Sequence, residues 1–85
     1  MTVQLLYFAW VREQIGIAEE QVEAPTPLPL AALLTQLQSR SPGHQQALAN
    51  RDRLRAAINQ HFSGGEDMVN AGDEVALFPP VTGGN

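Results

Sequence analysis

Residues 71–84 read AGDEVALFPPVTGG, and the punctuation of this stretch decides the fold. Asn70-Ala71-Gly72-Asp73 has the composition of a tight turn, with Gly72 at the position that needs positive φ. Glu74 to Phe78 then alternates, Val75 and Leu77 facing one way and Ala76 and Phe78 the other, which predicts a final strand apolar on both faces. Pro79 and Pro80 hold an extended backbone and bring no amide hydrogen to a ladder, so the strand stops near Phe78 and the chain leaves the sheet there. Gly83 and Gly84 carry no β-carbon, and a bare backbone can enter a channel too narrow for side chains. A frayed terminus would explain flexibility, but not an ordered run of apolar, stiff and then bare residues. The chain therefore divides into a folded domain over 1–78 and an extended tail over 79–85. Pro79, Pro80, Val81, Thr82 and Gly83 are its threading segment.

Outward from this strand, the remaining elements fall into place. Val3 to Phe8 is rich in β-formers and apolar on both faces, with Val3, Leu5 and Tyr7 on one side and Leu6 and Phe8 on the other. Ala9 to Ile15 fits a short helical turn closed by Gly16 as a left-handed cap, and Glu19 to Ala24 is a weaker strand anchored by Val22. Leu30, Leu33, Leu34 and Leu37 recur at the spacing of one buried helical stripe. Thr26 is the expected cap, Pro27 or Pro29 suits the first turn, and Ser41-Pro42-Gly43 is the expected end. Gln45 to Asn50 adds a short helical segment. Leu54, Ala56 and Ile58 alternate as a strand with one buried face, followed by a loop at Ser63-Gly64-Gly65. The order is strand, strand, helix, strand, strand: an α+β domain with a mixed sheet. One main helix covers only one face of it, so the first and last strands lie side by side at the centre and the other face stays open. Function is to be sought on that open face.

Composition narrows the chemistry. With 85 residues, the chain forms one domain that buries roughly 60 to 65% of its unfolded surface. It has no cysteine, hence no disulfide framework, no thiolate nucleophile and no cysteine-ligated metal. Net charge is -4 and every basic residue is arginine, which removes a phosphate-loop lysine and a Schiff base and argues against nucleic acid as partner. The N-terminus has no basic segment before an apolar run and no stretch reaches a membrane span, so a soluble cytoplasmic protein without membrane partners is expected. Arg51, Arg53 and Arg55 alternate, either as a basic strip for an acidic partner or as a solvated strand edge. His44 and His61 lie far apart without ligands at metal spacing; surface histidines suffice, and no metal is expected. Serines, histidines and aspartates are present without a nucleophile elbow, and the chain reads as no independent enzyme. Glu19-Glu20 and Glu66-Asp67 read as solvated surface.

LLYFAWVREQIG at 5–16, LRAAINQ at 54–60 and AGDEVALFPPVTGG at 71–84 together resemble the small-subunit family of molybdopterin synthase, the sulfur carriers, in the same order and spacing. The resemblance covers most of the chain, and its closing FPPVTGG is specific. It implies a β-grasp, ubiquitin-like domain. It also implies that the Gly84 carboxylate is the reacting group: an adenylating and sulfurylating activating enzyme uses ATP to activate it, and it becomes a thiocarboxylate. Inserted into the large synthase subunit, within a heterotetramer, it gives sulfur to cyclic pyranopterin monophosphate. Adenylation supplies the leaving group that a carboxylate lacks. The carrier itself holds no resident cofactor, and catalytic groups are expected on the large subunit.

By the same resemblance, Phe8, Phe62 and Phe78, with Arg12 nearby, match the family's partner-docking patch. For each, ordinary core filling is the alternative, and for Phe62 the two readings weigh alike. Asn85 departs from the pattern, which ends at the second glycine. Reaction at Asn85 would move the reacting carbon by about 3.5 Å and add a side chain, so either Asn85 is removed by a protease, or it is an added, non-native residue, or it stems from the gene arrangement. A carrier of the same fold for thiamine, cysteine or tRNA thiolation, and a ubiquitin-like binding module whose tail is never activated, stand as alternatives.

Overall fold

The computed structural model describes residues 1–80. Five strands form one sheet: β1 (Thr2–Tyr7), β2 (Glu19–Glu23), β4 (Arg55–Ile58), β5 (His61–Ser63) and β7 (Glu74–Phe78), in the order β2-β1-β7-β4-β5. The first and last strands are the central pair and run parallel, Gln4 opposite Glu74 through Tyr7 opposite Leu77. All other pairings in this sheet are antiparallel. A two-residue pair, β3 (Leu28–Pro29) with β6 (Met68–Val69), makes a second small ladder. The helices are α1 (Ala9–Ile15), α2 (Leu30–Gln38) and α3 (Pro42–Leu48), followed by a 3-10 turn at Arg51–Arg53.

The alternation expected for the two central strands holds. Val3, Leu5, Tyr7, Val75 and Leu77 are buried, and they share one core with Val11, with the α2 stripe Leu30, Leu33, Leu34 and Leu37, and with Leu48 of α3. Each buried leucine contributes about 1.5–3 kcal/mol relative to an exposed one, so the stripe holds α2 on the sheet. All three helices feed this core, so the covered face carries more than the one main helix expected. Gly16 ends α1 at φ 98° and Gly72 turns at φ 84°, as the sequence required.

The start and end of α2 differ from expectation. Thr26 does not cap it: Leu28 and Pro29 are held in the small ladder, and the helix begins at Leu30 with Pro29 at the cap position. Its first amides need no side-chain cap, because the amide of Leu30 donates to the Asp67 carbonyl (2.8 Å) and that of Ala31 to the Gly65 carbonyl (3.0 Å). Nor does Ser41-Pro42-Gly43 end α2. Ser41 caps α3, its hydroxyl accepting from the amide of His44 at 3.2 Å, and Pro42 takes the first helical turn. The short helix therefore spans Pro42–Leu48 and not Gln45 to Asn50. Gly43 is required by close approach, since a Cβ there would fall 2.3 Å from the carbonyl oxygen of Gln14. The loop foreseen at Ser63 is in part a strand, β5 pairing Ser63 with Ala56.

Three charge readings are also corrected. Arg51, Arg53 and Arg55 do not alternate along one strand: Arg51 and Arg53 lie in the 3-10 turn and only Arg55 in β4. Arg51 is a clamp, its Nε donating to the Leu48 carbonyl (2.9 Å) and Nη2 to Gln38 Oε1 (2.6 Å). His44 is no surface histidine, being only 6% exposed. Glu20 is not simply solvated, because the strand alternation that leaves Glu19 outside turns Glu20 inward opposite Leu5. No helix among the described residues is long and apolar enough to cross a membrane.

Candidate functional site

Register defines the second face of the sheet row by row. Residues opposite one another in a ladder share a face, so Glu19, Leu6, Ala76, Ala57 and Phe62 form one row across all five strands. No helix covers it. Two alanines make its middle, which lets another protein approach the sheet closely, and Phe62 stands at its edge 82% exposed. The uncertainty over Phe62 is thus resolved: it faces outward from β5 and is not core.

The next row lies at the end where the tail departs. Arg55 stands opposite Phe78 in the antiparallel ladder. Phe8 follows Tyr7, whose partner is Leu77; its backbone is still extended (φ -126°, ψ 153°), and its amide donates to the Leu77 carbonyl at 3.1 Å. Phe8 therefore points away from the Tyr7 side, onto the open face, and is 47% exposed. Directly after it, Ala9 adopts φ 53°, a left-handed geometry that costs a non-glycine residue about 1 kcal/mol and turns the chain from β1 into α1. Phe62 and Phe78 touch, ring centroids 5.9 Å apart and tilted by 50°. Together with Arg55, Ala56 and Ser63 they line a hollow of about 330 Å³.

The remaining candidates are placed as follows. Arg12 is exposed on α1, its amide 3.4 Å from the carbonyl of Phe8, one helical turn beyond it. Pro79 and Pro80 are half-buried and outside any ladder, directly after β7. Val81, Thr82, Gly83, Gly84 and Asn85 lie outside the described residues. The structure thus brings Phe62 and Phe78 together, sets Phe8 beside Phe78 across the central parallel pair, and delivers the tail at that corner.

Sequence reasoning missed a polar cluster on the covered side. Tyr7 donates its hydroxyl to Glu20 Oε2 at 2.6 Å, His44 Nε2 meets the same oxygen at 2.6 Å, and Arg40 Nη2 reaches Glu20 Oε1 at 3.2 Å. Ser41 Oγ lies 2.7 Å from His44 Nδ1, and the Tyr7 and His44 rings meet edge-on at 6.1 Å. Burial raises the Glu20 carboxyl, but the hydrogen bonds from Tyr7 and His44 and the Arg40 charge outweigh it, and the net shift is downward. Burial, reinforced by the Glu20 charge, pushes the Tyr7 hydroxyl well above its ordinary value. Ser41, His44 and Glu20 are the residue types of a hydrolase triad, yet Ser41 serves as a helix cap and His44 is only 6% exposed. The cluster joins β1, β2 and α3 and is structural. A cap serine followed by Pro42 and, two further on, His44 was the signal that could have found it.

A mixed five-stranded sheet covered by helices on one face, with its first and last strands paired in parallel at the centre, defines a ubiquitin-like β-grasp carrier. The chain belongs to the ThiS family, whose model matches residues 5–84. It is 41% identical over 83 residues to the molybdopterin synthase sulfur carrier subunit of Escherichia coli, covering 96% of this chain and 99% of that one. Among solved structures it is similar to a candidate subunit 1 of molybdopterin converting factor from Pyrococcus furiosus, with TM-score 0.80, 26% identity and coverage of 95% and 99% of the two chains. It is also similar to a chain in the complex of subunits 1 and 2 of the molybdopterin-converting factor from Helicobacter pylori, with TM-score 0.68, 26% identity and coverage of 99% and 100%.

Proposed function

We propose that this chain is the sulfur-carrier subunit of a molybdopterin synthase, docking on a large synthase subunit and carrying sulfur on the carboxyl carbon of Gly84. The observation that carries the reading is the 41% identity, across almost the whole chain, to a carrier of that name. The position of the tail supports it: β7 is central and ends at Phe78, between Phe8 on one neighbour and Arg55 on the other. The solved complex of subunits 1 and 2 from H. pylori supports a large-subunit partner.

The chemistry asks little of the carrier. An oxygen of the free Gly84 carboxylate attacks the α-phosphorus of ATP on an activating enzyme, and pyrophosphate leaves. Hydrosulfide from the sulfur source then adds to the acyl carbon and expels AMP, and loss of its proton leaves the thiocarboxylate. In the large subunit that sulfur passes to cyclic pyranopterin monophosphate. This chain supplies the reacting end, an unhindered approach through Gly83 and Gly84, and a docking face of Phe8, Arg12, Phe62 and Phe78. Asn85 must be absent from the reacting form, because it would hold the Gly84 carbonyl in a peptide bond.

The test compares the Gly84-terminated chain with the Asn85-bearing chain in the presence of activating enzyme, ATP and a sulfur source. Intact mass should show replacement of oxygen by sulfur only in the first. With thiocarboxylate-loaded protein and the large subunit, Gly84→Ala should slow single-turnover sulfur transfer strongly, because a β-carbon beside the carbonyl displaces the reacting atoms. Its melting temperature should not change. A normal transfer rate for the alanine form would remove the steric explanation of the diglycine, and activation of the untrimmed chain at an equal rate would remove the requirement for a free Gly84.

A further inference from the structure

One cation at the tail corner has no role in the docking patch described so far. Arg55 opens β4, is exposed, and stands directly opposite Phe78. Its Nη1 donates to the carbonyls of Asp52 (3.1 Å) and Leu54 (2.9 Å), which anchors the guanidinium at one nitrogen. Its Nε and Nη2 edge makes no hydrogen bond among the described residues, and no carboxylate of those residues lies within ion-pair distance of it. Arg55 lines the hollow between Phe62 and Phe78, and also a second, adjoining hollow of about 410 Å³ floored by Leu30, Leu34 and Leu54.

The charge around it is unusual for this molecule. The chain is acidic overall, at -4, and the carboxylates of the open face are remote from this corner. Glu74 begins the strand that Phe78 ends, about 13 Å away at 3.3 Å per residue, and Glu19 and Glu23 belong to the far edge strand β2. Asp52 precedes β4 and meets Arg55 through its backbone carbonyl, with its carboxylate outside ion-pair distance, so the tail corner presents a guanidinium without an ion-pair partner among the described residues, walled by aromatic rings. A guanidinium held at one nitrogen presents its remaining Nε and Nη2 as a preorganised fork, the geometry that takes a carboxylate through two parallel hydrogen bonds. When a partner covers Phe62 and Phe78, water leaves the hollow and such a pair is strengthened by the lower local dielectric.

We infer that Arg55 is a specificity-determining contact of the docking face: it receives an Asp or Glu side chain of the large synthase subunit, seated in the hollow between Phe62 and Phe78. The inference rests on the docking reading above and adds to it the chemistry of the occupant. Electrostatic complementarity of this kind selects partners and speeds encounter more than it adds bulk affinity. Arg55 is accordingly what distinguishes the cognate large subunit from one that meets this corner with an apolar or basic surface.

The experiment measures the dissociation constant of the folded carrier for its cognate large subunit at several salt concentrations, for the unaltered chain and for Arg55→Lys, Arg55→Leu and Arg55→Glu. Arg55→Leu should weaken binding about tenfold, which is about 1.4 kcal/mol. Arg55→Glu should weaken it more, Arg55→Lys should fall between the unaltered chain and Arg55→Leu, and the salt dependence of Arg55→Leu should be shallower than that of the unaltered chain. Reversing one carboxylate on the large subunit to Arg should weaken binding of the unaltered carrier and be rescued by Arg55→Glu, a readout that loss of folding cannot imitate. Tight binding indifferent to Arg55→Leu at every salt concentration, or failure of every carboxylate reversal to be rescued, would overturn the inference and leave the docking reading standing. No binding by the unaltered chain would overturn the docking reading, and this inference with it.

Discussion

Leu77 and Phe78 are adjacent in sequence and lie on opposite faces of the sheet. Leu77 is fully buried in the core, while Phe78, on the other face of the pleat, meets the ring of Phe62 and stands opposite Arg55. The same contrast runs along β1, from buried Tyr7 to Phe8 at 47% exposure. On the covered face every side chain has its partners within the chain: leucines in one core, and Tyr7, Glu20, His44 and Ser41 in a closed set of hydrogen bonds. On the open face, Phe62 and Phe78 touch each other, yet Phe62 and Phe8 remain largely exposed among the described residues. Two central strands thus carry a covered face and an open face in alternate residues, and if docking on the open face holds as proposed, the two should respond to substitution independently.

The largest expected effect lies on the covered face. Leu77→Ala removes a fully buried side chain at the centre of the sheet and should cost about 2–5 kcal/mol of stability, read as a lower denaturant midpoint. Affinity of the remaining folded fraction for the large subunit should be unchanged. If affinity fell with stability held, the two faces would not be separable as described.

Phe78→Ala tests the converse. It should weaken docking by about 2 kcal/mol, the cost of truncating an aromatic anchor in an interface, with a smaller loss of stability because the ring is only half-covered by its own chain. A denaturant melt and a titration with the large subunit, made on the same preparation, give both numbers. Loss of fold with unchanged affinity would move Phe78 to the core side of the comparison.

The legibility of these two faces in the sequence was unequal. Alternation in Val3 to Phe8 and Glu74 to Phe78 was enough to find the central strands and assign their faces, because period two is a strong signal and Pro79-Pro80 marks where it ends. The leucine stripe located α2. Its ends did not follow from local residues: Thr26 looks like a cap, but the loop carbonyls of Asp67 and Gly65, far away in sequence, satisfy the first amides instead. Ser41-Pro42 looks like a stop and is a start: the Ser41 hydroxyl accepts from the His44 amide, and the His44 ring meets Glu20 across the fold. Strands of two and three residues, β3, β5 and β6, are too short to show a period. Phe62 could not be aimed for that reason, and Arg55 could not be seen beside Phe78 before the register of β4 was known.

The polar cluster gives the covered face a pH signature. The Glu20 carboxyl is held below its ordinary value, so its contribution is fully present above the unfolded-state value near 4.5 and is lost as pH falls through the folded-state value. Tyr7 is shifted upward, so its contribution is present below its ordinary 10.0 and is lost as pH rises beyond that. Glu20→Gln should cost about 1 kcal/mol at neutral pH, where charge-assisted hydrogen bonds are replaced by weaker neutral ones, and the gap to the unaltered chain should close in acid. Stability curves from pH 3 to 8 would show it. A gap that stays constant down to pH 3 would mean that the Glu20 charge contributes nothing to the fold.

The smallest effect on folding should come from Phe62. At 82% exposure its ring has left little water behind, and its principal partner is the Phe78 ring at 5.9 Å. An aromatic pair contributes about 0.5–1.5 kcal/mol beyond the area it buries, and here one ring is almost wholly solvated, so the lower end applies. Phe62→Ser should therefore leave stability within about 0.5 kcal/mol of the unaltered chain. A serine at this edge-strand position keeps the backbone pairing with Ala57 and removes an exposed apolar group. Docking should still weaken, because one wall of the hollow beside Arg55 is gone. Calorimetric titration set beside thermal melts separates the two quantities. A stability loss of several kcal/mol would place Phe62 with the covered face, whereas unchanged affinity would confine recognition to Phe8 and Phe78 on the central strands and remove β5 from the interface.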